Sequence, residues 1–401
     1  MTVAQFWPLE VVNLIFRYIE EGDDNARDPC PFFLDAPPIL VRSTTHQQNL
    51  IELLVVCRAW LPAAIRALYR RLQLSSQHSL IRAMETLERY PARCYYVKSL
   101  YVNLQPSLRA RGSPVWSLTG ALLAPLVNLE AYLLDVPRRD PRFKYISLPT
   151  EDNGCLQYLG IVSGQPEDQS VDNHFLGVEQ LPSSLLRLDL HEVLEIDCTS
   201  FNLPRLETLC VGGYDLWRSK KSTFKNCPAL RNLVIHKPHE AEGVMALLES
   251  CGPQITYMQL AVEGAEGSFI NEKFVKALPK LEHLECHKWL PSGPEITYLP
   301  PSITHFTGHC CFNSNHEIAE GFLQALLDPS FLPGLAAFPD LIHIEDEETT
   351  IEDVALKHQT EAVATALRLR GLHILPSPKN RFTERDSSGK ICTCLLLLEG
   401  V

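Results

Sequence analysis

The sequence predicts an α/β repeat protein, in which a small helical region at the N-terminus precedes a stack of parallel strands. Two observations carry this prediction. The first is a six-residue pattern, apolar-x-x-apolar-x-apolar, that recurs nine times between residues 97 and 308. The second is a helical spacing of apolar residues, at every third or fourth position, before residue 75. The chain has 401 residues, of which 45% are hydrophobic and 21% charged, so it can bury a substantial core.

Composition and charge exclude several classes of protein. The formal net charge of −12 argues against a general nucleic-acid binder and against an anionic-membrane binder, although it allows a local basic patch. The first residues have no basic stretch and no long apolar stretch, and no apolar run reaches membrane-spanning length. We therefore expect neither a secretory signal nor a membrane contact. The 13 cysteines, odd in number and irregularly spaced, are typical of reduced thiols in the cytoplasm or the nucleus.

The N-terminal region, residues 1–75, is predicted to hold three helices. Pro8 begins the first, whose apolar face comprises Leu9, Val12, Ile15, Phe16 and Ile19. Residues 21–48 contain several prolines and little periodicity, and they are predicted to form an inserted loop. Helical spacing resumes at Leu50, Leu53, Leu54, Cys57 and Leu61, and Pro62 begins a third helix that continues to Leu72. So small a helical region leaves apolar surface that needs a partner, inside the chain or outside it.

Two blocks of this region resemble the F-box. The first is Trp7-Pro8-Leu9-Glu10-Val11-Val12 with the helix that follows it. The second is Leu53-Leu54-Val55-Val56-Cys57-Arg58-Ala59-Trp60, followed by Ala67-Leu68-Tyr69-Arg70-Arg71-Leu72. F-box families carry a Leu-Pro start, a Val-Cys-Arg-x-Trp block and a closing aromatic-Leu pair. The resemblance covers residues 6–74, with Trp7 in place of the usual leucine and the loop 21–48 in place of a short turn.

The resemblance implies docking to the Skp adaptor of a Skp–cullin–F-box ubiquitin ligase, and through the adaptor to the cullin. The adaptor-binding residues that it implies are Pro8, Leu9, Val12, Ile15, Phe16, Leu53, Val56, Cys57 and Trp60. The alternative is a plain helical cap that packs its apolar face onto the repeats that follow.

The nine copies of the six-residue pattern predict nine strands within residues 76–375. They begin at Val97, Leu129, Leu156, Leu185, Leu206, Leu230, Ile255, Leu281 and Ile303, at intervals of 21 to 32 residues. Such intervals fit leucine-rich repeats, in which alternating apolar residues share one core and stacked strands complete one another's hydrogen bonds. The usual asparagine is replaced by Tyr214, Pro238 and Trp289. The expected fold is therefore an irregular leucine-rich-repeat solenoid with parallel strands on its concave face. With the F-box blocks before it, this arrangement resembles the fungal type of F-box protein.

Other elements are predicted between and beyond these strands. Residues 243–250 and 272–278 favour short return helices. Further along the chain we expect helices at 322–327 and 351–370 and a strand at 341–344. The C-terminal tail, residues 376–401, begins with a polar stretch that is predicted to be mobile as far as Lys390. It ends in an apolar stretch, residues 391–398, that favours a final strand.

No sequence motif for catalysis or cofactor binding is present. Three His-Glu pairs, beginning at His191, His239 and His316, lack the second histidine of a zinc-protease motif. The cysteine pairs lack the C-x-x-C spacing of zinc sites, and core packing is the simpler interpretation of them. We therefore expect a chain that is not an enzyme and that holds no cofactor or metal.

The predicted concave face carries the candidate substrate-binding residues. They are Tyr101, Asp135, Tyr158, Arg187, Asp189, His191, His236, Tyr257, Gln259, His283, Glu285, His287, His305 and His309. Parallel stacking would set His283 beside His305 and His287 beside His309, about 4.8 Å apart. This patch has two interpretations, a solvated polar face for partner contact or a zinc or pH-responsive site.

Three functions follow from these observations. The preferred one is a substrate receptor, whose helices dock to the Skp adaptor and whose repeats hold a protein substrate close to an enzyme on another subunit. The second is a repeat scaffold for protein binding without a ligase role. The third is a metal-dependent hydrolase that uses the histidine patch.

Overall fold

The structure is a computed structural model that divides into two compact units. Unit 1 comprises Met1–Cys198 with Asn202–Leu206, and unit 2 comprises Thr199–Phe201 with Glu207–Val401. The residues that the structure describes are 58, 60–103, 115–136, 149–163, 175–176, 181–191, 195–196, 202–212, 226–236, 241–261, 270–287, 295, 298–300, 302–303, 305–309, 337–338, 343–345, 365, 373–374, 383–385 and 391–394. Among the described helices, none is both long and apolar enough to cross a membrane.

Unit 1 contains a parallel sheet with helices between its strands. Its described helices are α1 (Leu61–Arg70), α2 (Gln77–Arg89) and α3 (Val115–Leu123), with 3₁₀ turns at Pro91–Tyr96 and Glu151–Asn153. Its strands are β1 (Arg71–Leu74), β2 (Ser99–Asn103), β3 (Ala131–Val136), β4 (Tyr158–Ser163) and β6 (Arg187–His191), and each pairs in parallel with the next. Two short strands, β5 (Phe175–Leu176) and β7 (Glu195–Ile196), form a separate parallel pair.

Unit 2 is built in the same way. Its main strands are β8 (Thr208–Gly212), β9 (Asn232–His236), β10 (Tyr257–Ala261), β11 (His283–His287) and β12 (His305–His309), which are parallel neighbours in that order. Helix α4 (Ala241–Cys251) and the 3₁₀ turn Gly252–Gln254 follow β9, and α5 (Glu272–Ala277) follows β10. The remaining described strands are β13 (Ala337–Phe338), β14 (His343–Glu345), β15 (His373–Ile374), β16 (Thr383–Arg385) and β17 (Ile391–Cys394).

The predicted α/β character and the nine predicted strands are confirmed. Each six-residue pattern overlaps one strand, from β2 to β4, then β6, and from β8 to β12. The reason is the alternation of side chains along an extended chain. Every apolar pattern residue whose side chain is described, from Val97 to Ile303, is at most 1% exposed. These residues form the core face of each sheet. The predicted return helices are confirmed as well, as α4 and α5.

The third N-terminal helix ends earlier than predicted. Helix α1 stops at Arg70, and Arg71 has extended backbone angles (φ −127°, ψ 107°). The chain continues as β1, which pairs with Ser99–Val102 of β2. The backbone N–H of Lys98 also donates to the carbonyl of Arg70 at 2.8 Å. Arg71 and Leu72, whose local pattern favoured helix, are therefore extended because they pair with a neighbouring strand.

The C-terminal region gives a mixed result. The predicted final strand is confirmed as β17, and the predicted strand at 341–344 overlaps β14. Strand β17 pairs in antiparallel fashion with both β14 and β16. Residues Thr383–Arg385 of the stretch predicted to be mobile are therefore tied into a sheet. The predicted helices at 322–327 and 351–370 lie outside the described residues, apart from Thr365.

Tyr132 occupies a core position that the pattern usually gives to leucine, and it yields a stability prediction. The side chain is fully buried, and its hydroxyl has no hydrogen-bond partner within the described part of the chain. Burial raises the pKa of this hydroxyl. We expect Tyr132→Phe to raise the free energy of unfolding by about 1 kcal/mol, because it removes a buried polar group that lacks a hydrogen bond. Urea denaturation would measure the change.

The matched control is Tyr158→Phe. The Tyr158 hydroxyl donates to Asp189 at 3.0 Å, so its removal is expected to lower the free energy of unfolding. A loss of stability in Tyr132→Phe as large as that in Tyr158→Phe would contradict the prediction.

Candidate functional site

The residues between the core positions lie on the opposite face of each sheet, which we call the second face. In unit 1, the strand pairing sets Tyr158 beside Arg187, and it sets Gly160 beside Asp189. It also sets Asn103 beside Asp135. In unit 2, Tyr257 is beside His283 and Gln259 is beside Glu285 on the same face. The predicted substrate-binding residues are therefore brought together in three groups, two in unit 1 and one in unit 2.

The first group is centred on the carboxylate of Asp189. The Nε of Arg187 donates to Oδ1 at 2.9 Å and to Oδ2 at 3.2 Å. The hydroxyl of Tyr158 donates to Oδ2 at 3.0 Å. Asp189 is fully buried, whereas the Arg187 side chain retains 19% exposure. The carboxylate is thus held by one charged and one neutral donor in a site closed to water.

Gly160 provides the space in which Tyr158 lies. An added Cβ at Gly160 would be 2.6 Å from the Tyr158 hydroxyl oxygen and 2.7 Å from a methyl carbon of Leu133. The Tyr158 ring therefore crosses directly over the glycine to reach Asp189. A glycine inside a strand often marks such a close approach. Leu133, Tyr158 and Ala131 form a buried apolar cluster on this face, so its centre is not solvated.

Burial governs the titration of the first group. Desolvation raises the pKa of Asp189, and Arg187 and the Tyr158 hydroxyl oppose that rise. Desolvation, assisted by the positive charge of Arg187, lowers the pKa of His191 to about 3. His191 is therefore neutral at physiological pH, and its side chain is 3% exposed. A role for His191 as a sensor of physiological pH is incompatible with this burial.

A second cluster in unit 1 involves Asp135. The side-chain amide of Asn103 donates to Asp135 Oδ2 at 2.8 Å and to the Tyr101 hydroxyl at 3.1 Å. The Tyr101 hydroxyl donates to the same carboxylate oxygen at 3.2 Å. Desolvation raises the pKa of Asp135, and the bond from Tyr101 opposes it. All three side chains are partly exposed, so this cluster is accessible from solution.

The group in unit 2 is centred on Glu285. The Tyr257 hydroxyl donates to Glu285 Oε2 at 2.7 Å. The Tyr257 ring meets the His283 ring edge to face, with centroids 5.0 Å apart. Gln259 is 1% exposed, and its Nε2 has no hydrogen-bond partner within the described residues. This group therefore combines a largely buried carboxylate with an aromatic edge that is partly open.

The predicted histidine pairing is confirmed at the level of the backbone. His283 pairs with His305, and His287 pairs with His309, across β11 and β12. The side chains of His287, His305 and His309 lie outside the described part of the structure. The two interpretations of this patch stay predictions.

The predicted substrate-binding residues differ in accessibility. Five are buried: Tyr158, Asp189, His191, Gln259 and Glu285. Six are partly exposed: Tyr101, Asp135, Arg187, His236, Tyr257 and His283. Among these eleven residues, whose side chains are described, only the partly exposed ones can meet a partner without a rearrangement. Of the predicted adaptor-binding residues, Trp60 is described and is partly exposed, whereas Pro8, Leu9, Val12, Ile15, Phe16, Leu53, Val56 and Cys57 lie outside the described residues.

Two residues that shape these groups, Asn103 and Gly160, were not predicted from the sequence. Asn103 follows the third apolar residue of its pattern, and the same alternation that selected Tyr101 places it on the second face. Gly160 occupies the variable position of its strand, where a glycine signals a close approach of a neighbour. Both signals are present in the sequence.

No protein-family model matches the sequence, and no curated protein matches it either. The functional assignment therefore depends on the residues and on the geometry above.

Proposed function

We propose that the chain is a substrate-receptor subunit of a Skp–cullin–F-box ubiquitin ligase. In this proposal residues 1–75 form an F-box that docks to the Skp adaptor, and residues 76–375 form an irregular leucine-rich-repeat solenoid that binds a protein substrate. The chain performs no bond chemistry itself and needs no cofactor. It raises the effective concentration of the substrate near an enzyme on another subunit. Such a receptor works in the cytoplasm or the nucleus.

The observation that carries the proposal is the order of the elements. The Val-Cys-Arg-x-Trp block ends at Trp60, helix α1 follows at once, and parallel strands with aromatic and polar side chains on their second face come after it. Tyrosine and arginine are frequent anchors of protein interfaces, and Tyr101, Arg187 and Tyr257 are partly exposed on that face.

A second candidate is a protein-binding scaffold without a ligase role. It is favoured by the packing of α1 within unit 1 and by the direct continuation of α1 into the sheet. Ala63, Ala64 and Ala67 of this helix are buried, and β1 follows it directly as a strand of the sheet. The N-terminal helices would then be a cap of the strand stack.

Co-purification with the Skp adaptor separates the two candidates. We expect the wild-type chain to retain the adaptor and the variant Leu9→Ala/Phe16→Ala/Trp60→Ala to lose it, with affinity reduced at least a hundredfold. The reason is that large apolar and aromatic anchors dominate such interfaces, at about 2 kcal/mol or more each. Isothermal titration with purified adaptor would give the affinities.

The matched control is Val127→Ala/Tyr298→Ala, which truncates two apolar side chains that are about two-fifths exposed. It should bind the adaptor as the wild type does. Absence of adaptor binding by folded wild-type chain would reject the ligase role and leave the scaffold.

A further inference from the structure

We propose that a basic and aromatic patch on unit 1 docks an acidic segment of a partner protein. The patch consists of Arg66, Arg89, Tyr90, Arg93 and Tyr95. It lies where α1 and α2 meet the 3₁₀ turn Pro91–Tyr96. It shares no residue with the Asp189, Asp135 or Glu285 groups.

The charge of this part of the chain is opposite to that of the whole. Residues 58–98 contain eight basic residues (Arg58, Arg66, Arg70, Arg71, Arg82, Arg89, Arg93 and Lys98) and two acidic ones (Glu85 and Glu88), a net charge of +6. The whole chain carries −12, so the rest carries −18. A surface that keeps so much positive charge within an acidic chain attracts anionic groups selectively.

The arginines of the patch are held by aromatic rings. The guanidinium carbon of Arg93 lies 4.1 Å from the ring centroid of Tyr90 and 5.0 Å from that of Tyr69. Its Nη1 also donates to the Tyr69 hydroxyl at 2.9 Å. The guanidinium carbon of Arg89 lies 5.6 Å from the ring centroid of Tyr90. The positions of these two guanidinium groups are therefore restrained before any partner arrives.

Arg66 extends the patch along α1. Its guanidinium carbon lies 5.7 Å from the ring centroid of Tyr96. Arg66 is one turn before Tyr69 on α1, so it lies on the same side of that helix as the ring that Arg93 contacts. The three arginines thus belong to one surface.

Within the described part of the chain, the patch has no acidic partners of its own. Among the described residues, no carboxylate forms an ion pair with Arg66, Arg89 or Arg93. By contrast, the neighbouring Lys98 pairs with Glu130 at 2.6 Å. Stacking against a ring uses the face of a guanidinium and leaves its in-plane N–H groups available, and these match a carboxylate in pairs.

Exposed tyrosines complete the surface. Tyr90 is 43% exposed and Tyr95 is 61% exposed, unusually high values for aromatic residues. Aromatic and arginine side chains together are the common anchors of protein interfaces. A partner segment that alternates acidic and apolar residues would satisfy both kinds of side chain.

Charge favours a protein segment over a nucleic acid as the partner. Three guanidinium groups can pair with about three carboxylates, which suits a short segment. A long polyanion would extend past the patch into the field of a chain whose remainder carries −18, and that field would repel it.

Fluorescence anisotropy with the full chain tests the proposal. The probes are a short fluorescein-labelled peptide that alternates glutamate and tyrosine, and a single-stranded oligouridylate of equal charge. We expect the peptide to bind the wild type and the variant Arg89→Gln/Arg93→Gln to bind it at least about tenfold more weakly. Tyr95→Ala, at an exposed position, should lower the affinity for the peptide severalfold without changing the thermal unfolding temperature.

The matched control is Arg205→Gln/Lys273→Gln, which removes the same charge from exposed positions outside the patch and should bind the peptide as the wild type does. The proposal would be overturned if this control lost as much peptide affinity as the patch variant. It would also be overturned if the wild type and the patch variant bound the peptide equally well. Absence of peptide binding by the wild type would overturn it too. Tighter binding of oligouridylate that the patch variant loses would assign the patch to nucleic acid instead. Adaptor binding by the patch variant is measured in parallel. A failure of the peptide-docking proposal can therefore be told apart from a failure of the ligase proposal.

Discussion

Replacing Arg187 with methionine is expected to lower the free energy of unfolding by about 3 kcal/mol at neutral pH. The Nε–H of Arg187 is shared between both carboxylate oxygens of Asp189, which is fully buried. Removing one partner of a buried ion pair leaves the other charge in the interior without compensation. Within the described residues, the Tyr158 hydroxyl would then be the one remaining side-chain donor to this carboxylate. Urea denaturation at pH 7 would measure the loss.

The loss should shrink as the pH falls. Arg187 opposes the burial-driven rise in the pKa of Asp189, so the pKa of this carboxyl rises further in Arg187→Met. Arg187 also contributes to the low pKa of His191, about 3, so that pKa rises in the variant as well. Both changes let the folded variant bind more protons than the folded wild type. Linkage then stabilises the variant relative to the wild type as the pH is lowered from 7 towards 4.

Two further variants isolate the ion pair. Asp189→Asn keeps an oxygen that can accept from Tyr158 and removes the buried charge, so we expect it to lose only about 1 kcal/mol. The double variant Arg187→Met/Asp189→Asn should be more stable than Arg187→Met alone, because it lacks the unpaired carboxylate. A deficit in Arg187→Met that grows as the pH falls would exclude this account.

Gly252→Ala is expected to cost about 3 kcal/mol in unfolding free energy, because it would force backbone atoms apart. Gly252 is buried at the start of the 3₁₀ turn after α4. An added Cβ would overlap the carbonyl oxygen of Ala277 and lie 3.1 Å from its carbon. Ala277 is the last residue of α5, so the obstacle is helix backbone and not the flexible end of a side chain. Thermal and urea unfolding would both report the loss.

Gly154→Ala is the matched control. Gly154 is exposed and has right-handed helical angles (φ −61°, ψ −6°), and the nearest atom to an added Cβ is 3.6 Å away. Alanine fits there without strain, and we expect stability to stay equal or to rise by about 0.5 kcal/mol. Wild-type stability in Gly252→Ala would mean that α4 and α5 pack less closely than the structure indicates.

The strands were the part of the fold most readily predicted from the sequence. Three apolar residues at fixed spacing are buried in every pattern whose three side chains are described, and this period is a local property of an extended chain. The end of α1 was predicted wrongly for a related reason. Leu72 continues the helical spacing, but the pairing of β1 with β2 is a contact between segments about 28 residues apart. Spacing alone carries no information about such a contact.

The second face shows the same limit at the level of single side chains. Alternation placed Tyr158 and Asp189 on one face, and the structure confirms that placement. It did not predict that Gly160 would let the Tyr158 ring cross to Asp189, or that both residues would be buried. The patch formed by Arg66, Arg89, Tyr90, Arg93 and Tyr95 was likewise absent from the sequence-based picture, apart from the allowance for a local basic patch.

By itself the sequence determined the nine strands of the repeated pattern and which of their side chains share a face, because both depend on local periodicity. It also determined the overall acidity of the chain and the basic character of residues 58–98. The tertiary structure alone decided which of those side chains are buried, which carboxylates have donors and which arginines lie on aromatic rings. These properties depend on neighbours that are distant in sequence, since burial and the pairing of charges arise only when separate segments pack together.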